Sequence, residues 1–238
     1  MPRFSVVIPA YNEARYLPRL LDSLEAAIAA YPGGRAAMEI VVADNASTDE
    51  TAAIARSRGC VVAAVEKRCI AAARNGGARA ASGEILCFID ADNIVHPRTF
   101  AAIDETLARP GVVVGGTSLD PERSSFPIAL AFAVIRFAFW FANLDGGVVF
   151  CRKADFERVG GYDERLMFAE DIRFLRDMKR LGRFRRVHGA RAIMSMRKCD
   201  QYGDWHIFTM GPKVLWQMLR TPNAMTDFVR EYWYDGRR

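Results

Sequence analysis

The sequence predicts an α/β protein with one mainly parallel central sheet and helices on both of its faces. Four short apolar segments before residue 90 are separated by segments with helical spacing. These apolar segments lack alternating polar residues, which is typical of strands that are covered on both faces. A length of 238 residues also allows one domain to bury a large core.

Strand and helix signals alternate along the first half of the chain. Apolar runs predict strands at 4–8, 39–43, 60–65 and 84–89. Apolar residues three and four positions apart predict helices at 17–30, 51–58 and 70–81. Pro18 lies in the first turn of the first of these helices, where a missing N–H is tolerated.

The second half of the chain is less regular. Its predicted strands are at 112–115, 148–152 and 185–195. Its predicted helices are at 97–108 and 127–142, then from the end of the 148–152 strand to 159, and at 170–181. An aromatic, amphipathic tail follows. Because there is no repeat and no low-complexity linker, residues 1–238 are predicted to form a single domain.

Composition excludes several classes of protein. With 51% hydrophobic and 26% charged residues, the chain is neither disordered in bulk nor collagen-like. Five cysteines lie far apart without a CxxC pair, so we expect neither a zinc site nor a disulfide framework. The apolar run at the N-terminus is too short for a signal peptide, and the longest one is too short to span a membrane. These features predict a cytoplasmic protein.

The net charge of +5 is concentrated in one region. Between Arg173 and Lys198 there are ten basic residues and one acid, Asp177. Such a local excess indicates an anionic partner, which could be phosphate, a lipid surface or nucleic acid.

Polar residues follow three of the predicted strands, at 9–13, 44–49 and 90–93. Taken singly, Asn45 and Asn93 are typical of helix caps or turns. Taken together, these segments predict a ligand site, because the carboxyl ends of parallel strands meet at one edge of a sheet. Asp90 and Asp92 are separated by one residue, and carboxylate oxygens are the ligands that Mg²⁺ and Mn²⁺ prefer.

An ordered set of motifs resembles the family 2 glycosyltransferases, and in particular a small soluble subgroup of that family. The motifs lie at 6–13, 44–49, 74–77, 90–92, 160–163 and 170–171. The resemblance implies a GT-A fold with a Rossmann-like sheet, a nucleotide-sugar donor, Mg²⁺ or Mn²⁺, and inversion at the anomeric carbon. It also implies a nucleotide-sugar-binding half at 1–95, an acceptor-binding half at 96–200 and a C-terminal tail at 201–238.

The resemblance gives roles to individual residues on the donor side. Tyr11 and Asp44 match positions that hold the base, Glu13 matches one near the ribose, and Arg74 matches one near the phosphates. Asp90 and Asp92 match the contact with metal and diphosphate. The full set predicted to bind the nucleotide sugar is Pro9, Ala10, Tyr11, Glu13, Asp44, Asn45, Ser47, Arg74, Asn75, Asp90, Ala91, Asp92 and Arg197.

The acidic pair Glu170–Asp171 opens a predicted helix, where acids commonly complement the helix dipole. The resemblance favours a catalytic role instead, with Asp171 as the base and Glu170 as the second candidate. Arg197 and Lys198 have two equally supported interpretations, as a contact for phosphate or as part of a solvated basic face. An ordinary strand position is preferred over a metal ligand for His188.

The apolar segment 126–142 is predicted to be a buried helix, with contact to the inner face of a membrane as the alternative.

UDP-sugars are the favoured donors and GDP-sugars come next, while the acceptor is a hydroxyl group, of a glycan or of a lipid-linked molecule. The other two hypotheses are a nucleotidyltransferase and a non-catalytic anion-binding module. The first loop lacks the glycines expected of a nucleotidyltransferase. Acidic pairs at three separate places disfavour a non-catalytic module and a nucleic-acid partner.

Overall fold

The structure is a computed structural model that describes residues 1–167, 169–206 and 208–209, without the side chain of His188. Its strands are β1 (Phe4–Ala10), β2 (Met38–Asp44), β3 (Val61–Ala64), β4 (Ile85–Phe88), β5 (Val112–Pro121), β6 (Val149–Arg152) and β7 (Arg183–Met194). Its α-helices are α1 (Leu17–Ala30), α2 (Thr51–Ser57), α3 (Ile70–Ala80), α4 (Thr99–Leu107), α5 (Phe126–Ala142), α6 (Lys153–Val159), α7 (Glu170–Met178) and α8 (Arg197–Tyr202). The helices and strands expected from the sequence up to residue 195 are all present.

All seven strands form one sheet in the order β3-β2-β1-β4-β6-β5-β7. The first four strands in this order are parallel to one another. The short strand β6 runs antiparallel to both β4 and β5. The prediction of an α/β fold on a mainly parallel sheet is therefore confirmed, with antiparallel β6 as a feature that the sequence did not indicate.

Strand β1 supplies residues to the cores on both faces of the sheet. Val6 and Ile8 pack in one core with Leu20 and Leu24 of α1. Val7, which points to the opposite face, packs in the other core with alanines of α3 and with Phe174 of α7. This explains why the strand is apolar without alternation.

Helix α3 lies very close to its neighbours because Gly76 and Gly77 have no side chain, and Gly77 is the one that faces β1 and β2. A β-carbon at Gly77 would clash with Val7 of β1 and would press on Ala43 of β2. The small residue therefore brings α3 down onto the strands, and Arg74 is carried with it towards their carboxyl ends.

Strand β5 continues six residues beyond its predicted end at Gly115. Two glycines follow the apolar run there, and glycine is depleted in strands. In the structure Gly115 pairs with Phe150 and Gly116 with Val149 of β6. A β-carbon at Gly115 would overlap the Phe150 ring, so glycine is what allows this pairing.

The chain divides into two compact units, one formed by 1–120 and 143–194 and the other by 121–142 and 195–238. The second unit contains α5, and the prediction that this helix is buried is wrong for most of its surface. Ile128, Ala131 and Phe132 are buried, but six large apolar side chains of α5 are exposed. Apolar composition alone could not show which residues of the helix the fold would cover. Within the part of the chain described, no helix is long and apolar enough to cross a membrane.

Candidate active site

The loops after β1 and β2 are joined by hydrogen bonds at the carboxyl edge of the sheet. The backbone N–H of Asn12 donates to Ser47 Oγ at 3.1 Å, and the Asn12 side chain accepts from the backbone N–H of Thr48 at 2.8 Å. The backbone N–H of Glu13 donates to Thr51 Oγ1 at 2.8 Å. Two of the three predicted strand-end segments therefore form one connected surface.

Several predicted donor-side residues have structural contacts in these loops. Asp44 accepts from the backbone N–H of Ser47 at 3.2 Å, which shapes the turn after β2. The Asn45 amide donates to the carbonyls of Val65 and Lys67 at 3.0 and 2.7 Å, and so ties the β2 loop to the segment after β3.

The Tyr11 ring contacts a cation that the sequence did not single out. The guanidinium carbon of Arg68 lies 5.2 Å from the ring centroid. A base stacked on Tyr11 would therefore meet Arg68 at the same ring. The only signal in the sequence was the basic pair Lys67–Arg68 ahead of α3.

Arg74 is the centre of a cluster that joins α3, the β4 turn and the start of α7. Its Nη1 donates to Glu170 Oε1 at 2.8 Å and to Asp171 Oδ1 at 2.5 Å. Its Nη2 donates to Asp90 Oδ1 at 3.1 Å, and its guanidinium lies over the Tyr162 ring at 5.1 Å. The structure thus brings together predicted residues that are 97 positions apart.

The cluster contains three carboxylates and one guanidinium. Removal from water is the largest influence on Asp171 and raises its pKa, Arg74 opposes this shift, and the like charges of Glu170 and Asp90 add to it. Its side chain is nevertheless 42% exposed, whereas that of Glu170 is 9% exposed. Asp171 is therefore the carboxylate of the pair that an incoming molecule can reach.

Two polar atoms beside this cluster are buried without a hydrogen-bond partner among the described residues. They are Nε of Arg74 and the hydroxyl of Tyr162. Burial also raises the pKa of Tyr162 well above its usual value, so its hydroxyl keeps its proton. A buried N–H or O–H without an acceptor is unfavourable. After a small movement of these side chains, the two groups could donate to an anionic group.

Asn75 holds the loop that carries Tyr162. Its Nδ2 donates to the Tyr162 carbonyl at 2.9 Å and to Glu164 Oε1 at 3.0 Å, and its Oδ1 accepts from the Tyr162 backbone N–H at 2.9 Å. A β-carbon at Gly161 would clash with the same Oδ1. The sequence predicts that Asn75 contacts the nucleotide sugar. It does not indicate that Asn75 fixes the conformation of this loop.

The other predicted residues are placed as follows. Pro9 and Ala10 lie in β1 opposite Ala43 and Asp44, and Ala91 is buried between Asp90 and the half-buried Asp92. Arg197 begins α8 in the second unit. No three His, Cys, Asp or Glu side chains form a metal-binding group within the described ranges. The side chain of His188 is outside the described part of the structure, and so is the choice between a strand residue and a metal ligand at this position.

Comparison with known sequences gives a match over most of the chain. The sequence model of "Glycosyl transferase family 2" matches residues 5–202. The chain is 34% identical to the glycosyltransferase AglE of Haloferax volcanii over 123 residues, which are 49% of this chain and 39% of AglE. It is 36% identical to a validoxylamine A glucosyltransferase of Streptomyces hygroscopicus over 124 residues, which are 48% of this chain and 28% of that protein. The chain thus spans about a quarter to two fifths of the length of these two relatives.

Solved structures agree with this assignment at the level of the fold. S. aureus TarS 1-349 in complex with UDP-GlcNAc matches with a TM-score of 0.62 and 23% identity, over 83% of this chain and 59% of that one. The mannosyltransferase PcManGT of Pyrobaculum calidifontis, in complex with GDP-Man and Mn²⁺, matches with a TM-score of 0.64 and 27% identity, over 81% of this chain and 56% of that one. The GT-A fold expected from the motifs is confirmed by these matches. Since the family match takes in both the strand-end loops and the Arg74 cluster, the chain belongs to glycosyl transferase family 2.

Proposed function

We propose that this chain transfers a sugar from a nucleotide diphosphate to a hydroxyl group of an acceptor, with inversion at the anomeric carbon. The observation that carries the proposal is the Arg74 cluster, which holds Asp171 and Asp90 on one guanidinium. The reaction needs one carboxylate that can take a proton and another that can face a diphosphate. Membership of the family supports the same reaction.

Asp171 is the proposed base. As the acceptor oxygen attacks the anomeric carbon, its proton passes to the Asp171 carboxylate, and the bond to the nucleotide diphosphate breaks on the opposite face of the sugar. The raised pKa of Asp171 makes it a stronger base near neutral pH. Its exposure leaves room for an acceptor, whereas buried Glu170 is better placed to hold Arg74.

The charges of the cluster fit a divalent cation. One guanidinium faces three carboxylates, so negative charge is left over where the donor phosphates would lie. Asp90 and Asp92 would hold Mg²⁺ or Mn²⁺ through oxygen atoms, with phosphate oxygens completing the ligand set. The bound cation would stabilise the negative charge of the departing diphosphate.

UDP-sugars are the donors we favour, followed by GDP-sugars. Tyr11 offers a ring face to a base, and Asp44 lies at the end of β2 beside Ala10, within the same surface. The similar structures of TarS with UDP-GlcNAc and of PcManGT with GDP-Man support both choices. The acceptor is proposed to be a hydroxyl group of a glycan or of a lipid-linked molecule.

A nucleotidyltransferase and a non-catalytic binding module are the competing proposals. A nucleotidyltransferase would release inorganic diphosphate, and a binding module would release nothing. Incubation with UDP-, GDP-, dTDP- and CDP-sugars, Mn²⁺ and a panel of glycan and polyprenol acceptors, beside a second incubation with nucleoside triphosphates, sugar 1-phosphates and Mn²⁺, separates the three. We expect nucleoside diphosphate and a glycosylated product, both absent with EDTA and strongly reduced by Asp171→Asn but not by the exposed control Asp22→Asn. Release of inorganic diphosphate would overturn the proposed reaction, and full transfer by Asp171→Asn would overturn the assignment of Asp171 as its base.

A further inference from the structure

Helix α5 presents an apolar surface to solvent. Six of its large apolar side chains are between 41% and 81% exposed, namely Phe126, Leu130, Val134, Phe137, Trp140 and Phe141. Steps of three and four residues place them on one side of the helix, over about a third of its circumference. The buried residues Ile128, Ala131 and Phe132 lie on the opposite side. We refer to the six exposed side chains as the α5 face.

The α5 face continues onto the neighbouring part of the second unit. The ring centroid of Trp205, a residue that is 54% exposed, lies 6.5 Å from that of Phe126. Arg123, three residues before α5, binds both Asp200 and Asp204, at 2.6 and 2.7 Å, so one cation partly neutralises these two acids. The charged residue within α5 itself is Arg136, and α8 opens with Arg197 and Lys198.

We propose that the α5 face docks on the surface of an anionic phospholipid bilayer. Phenylalanine, tryptophan and leucine on one side of a helix, with one arginine and no acid in the helix, match the acyl and phosphate layers of such a surface. A helix of 17 residues is about 25 Å long and is shorter than the bilayer core, so it would lie in the interface. This inference does not depend on the proposed enzymatic activity.

The shape of the α5 face favours lipid over a second copy of the chain. A single helix is convex, so two copies crossing at this helix would touch along a line and leave much of the six-residue surface in water. Fluid lipid closes around a convex surface and covers all of it. A stable dimer would need about 800 Å² buried on each partner, which one helix crossing does not supply.

Flotation of the full chain with vesicles tests the proposal. We expect binding to vesicles of phosphatidylglycerol and phosphatidylcholine in equal parts, and weaker binding to phosphatidylcholine alone. Phe137→Ser together with Phe141→Ser should weaken binding by about 10- to 100-fold, because two aromatic rings would no longer be transferred from water into the lipid. The control carries Val61→Ser and Ile193→Ser, which remove two exposed apolar side chains from the first unit, and it should bind like the unaltered chain.

Quenching by brominated lipid locates the contact. Quenching of tryptophan fluorescence should be lower in Trp140→Phe than in the unaltered chain. Circular dichroism of each variant verifies that it is folded. No binding by the unaltered chain, equal binding by the two double variants, or unchanged quenching in Trp140→Phe would overturn the proposal. A concentration-dependent dimer that the α5 variant abolishes, without vesicle binding, would also overturn it and assign the surface to a second copy.

Discussion

Arg74 neutralises carboxylates from two distant parts of the chain, and this makes it important for stability. Its side chain and that of Glu170 are both almost fully buried and lie 2.8 Å apart. Removing one partner of a buried pair leaves an uncompensated charge and typically costs about 3–5 kcal/mol. We therefore expect Arg74→Met to lower the free energy of unfolding by about that amount in urea denaturation. Arg79→Met, an exposed position of the same helix, is the control, and equal losses in both variants would contradict this role.

The proposed base predicts a kinetic difference between two adjacent acids. Asp171→Asn keeps the shape of the side chain and can still accept from Arg74, but it cannot take a proton at neutral pH. Loss of a general base typically costs about 10²–10⁴-fold in rate, so kcat should fall by that factor while donor affinity stays nearly constant. Glu170→Gln should lower kcat less, because Glu170 is buried against Arg74. The reverse ranking would transfer the role of base to Glu170.

The same carboxylate predicts how stability changes with pH. The pKa of Asp171 is raised in the folded protein, so the folded state holds its proton over a pH range where the unfolded chain has lost it. This stabilising contribution is complete below the unfolded pKa of about 4 and is lost as pH rises through the folded pKa. Asp171→Asn should therefore raise Tm progressively more as pH is increased from about 4 to neutral, measured by calorimetry without donor or metal. A Tm difference that does not depend on pH would show that the pKa of Asp171 is not raised.

At the scale of elements, the start of α7 is under backbone strain. Ala169, the residue before Glu170, has a φ of 59° and a ψ of 22°, in the left-handed region that favours glycine. Ala169→Gly removes this strain but adds freedom to the unfolded chain, so we expect a net gain of about 0.5 kcal/mol in the free energy of unfolding. Ala26→Gly in the exposed middle of α1 should instead lose about 1 kcal/mol. Destabilisation by both substitutions would show that the Ala169 conformation is not strained.

The sequence predicted the elements well where one physical signal dominated. The ends of α1 match the prediction, because apolar spacing and Pro18 act together, and β1 to β4 are apolar enough to mark a covered parallel sheet. The direction of β6 is set by pairing with β4 and β5, which no local pattern encodes. The exposed side of α5 was missed because its residues are as apolar as those of a core.

The contacts within the site were as difficult to predict from the sequence as the pairing of β6. Strand-end position and the family motifs singled out Arg74, Asp90, Glu170 and Asp171 before their contacts were known. Neither could show that one guanidinium holds all three carboxylates. The bracing by Asn75 was hidden for the same reason, since its partners are 87 and 89 positions away.

For the whole molecule, stability should depend on donor and metal together. Asp90 follows β4 and Asp44 ends β2, so a nucleotide diphosphate bound with a cation would link the loops that follow two strands of the first unit. A ligand that binds only the folded state stabilises it by about 2.7 kcal/mol at 100 times its Kd. UDP or GDP with Mn²⁺ should therefore raise Tm by more than the nucleotide and the metal raise it separately.

Asp92→Ala should remove this combined effect, because it deletes a proposed carboxylate ligand of the cation. Binding of the free nucleoside should change little in the same variant, since the base and ribose contacts are proposed to lie at Tyr11, Glu13 and Asp44. Thermal shift measures the first effect and calorimetry the second, with Asp22→Asn as an exposed control on α1. An equal loss of nucleoside and nucleoside diphosphate binding would mean that Asp92 supports the loop after β4 and does not hold a metal.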